Sequence, residues 1–78
     1  MRNEIKESID LYVSDRIDPG GFLRAVLENN LIEAMGRADE GNRADLFEIC
    51  QYVYNEIPGH CWGSPEKVQQ WLYLEVTQ

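Results

Sequence analysis

Apolar side chains return at helical spacing almost from the start of the chain. Ile5, Ile9, Tyr12, Val13 and Ile17 stand at offsets of 0, 4, 7, 8 and 12, which trace one face of a helix and fit no strand. The spacing predicts a helix over residues 4 to 17 that ends at Asp18, because proline disfavours helical geometry in the residue before it. Asp18 and Pro19 read as the start of a second helix. Asp18 is the expected N-cap and Pro19 the first helical residue, where its missing N–H costs nothing. Gly20 and Gly21 then leave the first turn bare.

From Phe22 the helical spacing continues through Leu23, Val26, Leu27, Leu31, Ile32, Ala34 and Met35, with a phase slip at Asn29-Asn30. Either one bent helix or two short ones results. Asparagine tolerates left-handed backbone and often ends helices, which favours a break near Asn30. Asp39 to Asn42 is turn chemistry with helix-start character, and Asp39 is the expected cap of the longest helix. Leu46, Phe47, Ile49, Cys50, Val53, Tyr54 and Ile57 give that helix an apolar face wide enough for the centre of the core. Pro58-Gly59 terminates it.

Ser64-Pro65-Glu66 then reads as N-cap, first-turn proline and first-turn acid, so a last helix opens at Ser64. Val68, Trp71 and Leu72 supply its buried face and Val76 extends it, although Trp71 to Val76 also reads as a strand. The architecture expected is all-α, a compact bundle of four to five short helices forming a single domain over residues 1–78.

Composition narrows the partners. Seventy-eight residues with 44% hydrophobic and 27% charged side chains describe one folded domain with one small core. Fourteen acidic residues against seven basic ones give a net charge of −7, which disfavours direct DNA binding and repels anionic membranes. No apolar run approaches the roughly 20 residues of a membrane span, and the opening residues do not resemble a signal peptide. The expectation is a cytoplasmic protein of the host cell.

Cys50 and Cys61 are too few for a disulfide framework and read as thiols, Cys50 on an apolar helical stripe and Cys61 in a loop beside His60. With His60 they fall short of a closed four-ligand zinc site. Neither metal nor cofactor is expected. A core of this size rarely supplies more than ~3 to 5 kcal/mol unaided, so a homo-oligomer held by faces such as those of Tyr54, Trp71 and Tyr73 is expected.

Four segments carry a resemblance: residues 19–31 (Pro-Gly-Gly-Phe-Leu-Arg-Ala-Val-Leu-Glu-Asn-Asn-Leu), Arg37-Ala38-Asp39 with Asn42, Tyr52-Val53-Tyr54-Asn55-Glu56-Ile57-Pro58, and Cys61 to Val68 with Trp71-Leu72. Together they resemble a family of short proteins encoded by phages, prophages and plasmids, over about residues 9 to 72. The resemblance implies a context. Small accessory proteins of mobile elements commonly act on host defence, often by binding one target and blocking it.

Catalysis finds little footing. The one neutral-pH base, His60, has no framed nucleophile near it, and no spacing marks two carboxylates as an acid–base pair. A binding site is the better expectation. The bare helix start at Gly20, Gly21 and Phe22, flanked by Arg16 and Arg24, has the makings of a small anion site; glycine suits close helix packing equally well. Trp62, in a glycine-flanked loop before Ser64, is placed either to stack on a base, to anchor a protein partner or to fold over the core as a lid. Two non-enzymatic functions follow: sequestration of a phosphorylated, nucleotide-derived immune signal by Arg16, Gly20, Gly21, Phe22, Arg24, Trp62 and Ser64, or direct inhibition of a host defence protein. A structural or regulatory phage role is the third reading. The acids are interspersed with Lys and Arg, which weakens nucleic-acid mimicry.

Overall fold

The computed structural model describes residues 1–73, and among them it is all-α with no strand. Six short helices follow one another: α1 Asn3–Asp15, α2 Gly21–Leu27, α3 Leu31–Arg37, α4 Glu40–Ala44, α5 Leu46–Glu56 and α6 Pro65–Tyr73, with a 3-10 turn over Gly59–Cys61 before the last. The count exceeds the expected four to five because two segments break where continuous apolar spacing runs on. Val76, and the strand alternative beyond Tyr73, lie outside the described residues.

The first helix stops two residues earlier than its apolar spacing predicts. Arg16 takes left-handed backbone (φ 59°, ψ 38°) and its N–H closes on the Tyr12 carbonyl, so Ile17 falls beyond the helix and is half exposed. The second helix starts later than expected, at Gly21 and not at Asp18-Pro19. Asp18 gives its carboxylate to the N–H of Gly20 at 2.9 Å, and Gly20 turns the chain at φ 95°, a region open to glycine, before the helix begins. The break near Asn30 is present. Asn29 is left-handed (φ 63°), and α2 and α3 fold back on each other so that Arg37 at the end of α3 lies over Gly21 at the start of α2.

Asp39 caps as expected, accepting the Asn42 N–H at 2.7 Å, but it caps the five-residue α4. Asp45 ends that helix and starts α5, so the longest helix is α1 with 13 residues. The interruption lets α4 serve a polar join. Asn42 is buried, and its side-chain oxygen accepts from the Arg2 guanidinium at 2.6 Å while Arg2 also pairs with Asp39. The Asn42 N–H, with Arg2 beside it, holds the Asp39 carboxyl below the usual carboxylate range. Asp10 is held low likewise, by the Tyr52 hydroxyl first and Lys6 second, in a contact joining α1 to α5. Both carboxyls have folded pKa values below the unfolded value of about 3.9. Their stabilisation is therefore complete above that pH and is lost as pH falls through the lower folded values.

The core is built from Ile9 and Tyr12 of α1, Leu23, Val26 and Leu27 of α2, Ala34, Ile49, Val53, Ile57, Cys61 and Val68. Tyr12 is its largest fully buried side chain. Its hydroxyl donates to the Cys61 carbonyl at 2.7 Å, and its own carbonyl accepts from the Trp71 indole N–H at 2.8 Å. One residue thus ties α1 to the 3-10 turn and to α6. Burial pushes the phenol up, so it stays a neutral donor at any ordinary pH. No helix among the described residues is long and apolar enough to cross a membrane.

Removing the Tyr12 hydroxyl leaves the Cys61 carbonyl buried without that donor. Tyr12→Phe should lose about 1 to 3 kcal/mol of stability with helix content intact, read as a lower denaturant midpoint at unchanged slope; a change within error would show that the bond does not hold the turn.

Candidate functional site

The residues proposed for an anion site do not form one open cluster. The Gly20 N–H is directed to Asp18, as described above, and the guanidinium of Arg24 also meets Asp18 (3.3 Å) together with Glu28 (3.6 Å) and the Tyr73 hydroxyl (3.4 Å). Where a side chain on Gly21 would begin, Arg37 Nη1 stands 3.0 Å away. The ring of Phe22 packs partly buried against the core. Arg16 lies over the Trp71 ring, 4.1 Å from its centroid, and His60 is on the same ring at 5.1 Å. Trp71 is thereby committed to the fold and is not a free face for self-association. Ser64 caps α6, its Oγ accepting the Lys67 N–H at 3.2 Å. Of the charge and donors expected for a phosphate, the Arg24 guanidinium and the Gly20 N–H are matched by carboxylates of the same chain, and Arg16 lies on an aromatic ring.

Trp62 belongs to the opposite end of α2. The Gly63 N–H donates to the Leu27 carbonyl at 2.7 Å, which fastens the Trp62 loop beside the last residue of that helix. Gly21 lies six residues away, about 9 Å along the axis. The indole N–H of Trp62 donates to the Ile57 carbonyl at 3.1 Å, so the ring is held at one edge and half-buried. Its lid role is real: the ring packs on the core.

Beside it opens a hollow of about 210 Å³, lined by Val26, Asn29, Cys50, Val53, Tyr54 and Trp62. Tyr54 meets Trp62 edge-on, with ring centroids 6.1 Å apart at 64°. Tyr54 is 74% exposed and Phe47, seven residues earlier on the same line of α5, is 78% exposed. Such a pair of aromatic rings standing in water is uncommon for a helix whose other flank is core. Leu31 and Ile32 are exposed as well. They follow Asn29 closely enough that the Cα of Ile32 lies within about 11 Å of it.

Sequence reasoning singled out Trp62 but not Val26, Asn29, Cys50, Val53 or Phe47 as its companions. A signal was present in the face of α5, which is wider than burial requires: Phe47 and Tyr54 sit on its flank. Among the described residues no group of three His, Cys, Asp or Glu side chains converges to hold a metal. His60 is exposed against Trp71 while the adjacent Cys61 is fully buried. The two therefore do not make a nucleophile and base open to solvent.

The two thiols give the hollow a direct reporter. Both are free, Cys50 half-buried in the hollow and Cys61 inside the core, and burial pushes each up, which keeps them protonated at neutral pH. A thiol-reactive chromophore should label Cys50 slowly in the native protein and Cys61 only after denaturation; equal labelling of both in native buffer would contradict the packing of the Tyr12–Cys61 region. No protein-family model, curated protein or solved structure matches the chain.

Proposed function

We propose that this is a non-enzymatic accessory protein that acts by stoichiometric binding to a target protein, through the face formed by the hollow, Tyr54, Trp62 and Phe47. The observation that carries the reading is the pair of exposed rings beside a concave apolar site. Protein-binding hot spots have this build, with aromatic anchors around a pocket that excludes water when filled. The resemblance to short phage, prophage and plasmid proteins supplies the context, in which the target is a component of host defence and the effect is to block it.

Sequestration of a nucleotide-derived signal draws less support. Its phosphate end would have to displace Asp18 from both Gly20 and Arg24, and its base would reach Trp62 only past the length of α2. The self-association expected through Tyr54 and Tyr73 would use the same face and competes with this reading. It is read directly from the molar mass in solution.

The proposal is tested in cells that carry defended and undefended backgrounds and produce either the wild-type chain or Phe47→Ser/Tyr54→Ser. Wild-type protein should restore phage plating on at least one defended host and the double variant should not. Equal rescue by both would remove this face from the function. A nucleotide released intact on heating the purified protein would move the function to sequestration.

A further inference from the structure

We propose that α3 is a self-association face, on which a second copy of this chain packs antiparallel across a two-fold axis with Ile32 of each copy seated at Gly36 of the other. α3 packs on α2 and buries only Ala34. Its large apolar side chains stand outside: Ile32 is 79% exposed, the most of any large apolar residue described, with Leu31 at 54% and Met35 at 47%. At about 100° per residue, Ile32 and Gly36 straddle the line of the helix directly opposite Ala34, one turn apart. They form the centre of the outward face.

Glycine weakens a helix relative to alanine, so a helical glycine calls for a contact that needs it. Gly21, Gly36 and Gly41 stand in α-helices. Where a side chain would begin, Gly21 meets Arg37 and Gly41 meets Arg2, whereas Gly36 meets nothing within 4 Å. The chain itself gives Gly36 no reason. Its bare backbone is a hole one turn from the most exposed apolar knob, and an antiparallel copy brings each knob onto the other's hole in one contact made twice. A two-fold interface requires that self-complementarity. Charge points to the same occupant. Copies of a chain carrying −7 repel one another, but between Asn29 and Ala38 the only charged residues are Glu33 and Arg37, which pair with each other at 2.6 Å. A second copy meets no net charge on this segment. The contact is short, because α3 has seven residues, so the dimer belongs to the weak class that buries less than about 1,200 Å².

Sedimentation equilibrium of the full chain from about 10 μM to about 1 mM tests it, on wild type, Ile32→Ser, Gly36→Leu and Phe47→Ser/Tyr54→Ser, with circular dichroism to check that each is folded. Wild type should approach twice its 9.0 kDa mass at the upper end. Ile32→Ser and Gly36→Leu should dissociate at least about ten-fold more readily, while Phe47→Ser/Tyr54→Ser should associate like wild type. Gly36→Leu is the discriminating variant. It adds exposed apolar surface, which strengthens unspecific sticking, but it fills the hole that Ile32 needs. Ile32→Ser, at a side chain standing in water, reads the knob without touching the fold. A wild type that stays monomeric throughout would overturn the proposal, as would a Gly36→Leu or Ile32→Ser that associates as strongly as wild type. Loss of association in Phe47→Ser/Tyr54→Ser alone would overturn it in favour of the α5 rings. The face does not draw on the hollow, so its failure leaves the plating comparison untouched.

Discussion

The fold depends on Tyr12. A phenol with no exposed surface has to find a partner for its O–H, and the Cys61 carbonyl is that partner. The carbonyl of the same residue accepts the Trp71 indole N–H, so α1, the 3-10 turn and α6 are fixed at one point by two directional bonds inside an apolar core. The 3-10 turn and α6 take their positions from this join. The 3-10 turn buries Cys61, the next residue Trp62 is turned outward to the Ile57 carbonyl, and Gly63 closes on Leu27. The wall that Trp62 gives the hollow is a consequence of where Tyr12 places its neighbour.

Polar joins complement that apolar centre. Arg2 bridges Asp39 and the buried Asn42, and Tyr52 and Lys6 share Asp10. These contacts hold short helices that would not form alone, since helices under about 12 residues are marginal without tertiary packing. They also engage Arg2 and Lys6. The buried core runs through Tyr12, Ile9 and Val68, while the exposed rings of Tyr54 and Phe47 and the half-buried Trp62 stand apart from it.

The sequence made the helical class, the break at Asn29-Asn30, the Asp39 and Ser64 caps and the free thiols legible, because each follows from local spacing or from a side chain bonding its own backbone. The misplaced boundaries have one local and one tertiary cause. The start of α2 moves to Gly21 as Asp18 turns to Gly20, and the split at Asp45 accompanies the burial of Asn42 under Arg2. Periodicity carries no trace of either. The same holds for the site: Trp62 stood out as an aromatic in a glycine-flanked loop, but its companions Val26, Asn29 and Cys50 come from distant segments and are identified only once the chain is folded. The anion site looked plausible in one dimension because sequence shows the arginines and glycines without showing that Asp18 and Glu28 reach them first.

The central claim is that the rings at the hollow are surplus to folding. Denaturant unfolding of Phe47→Ser/Tyr54→Ser, compared with the wild-type chain at two protein concentrations, tests it most directly. The account predicts a stability within about 0.5 kcal/mol of wild type and the same slope, since both side chains stand mostly in water. A loss of about 2 kcal/mol or more, or a midpoint that moves with protein concentration in the wild type alone, would contradict it by showing that these rings hold the fold or a self-assembly together.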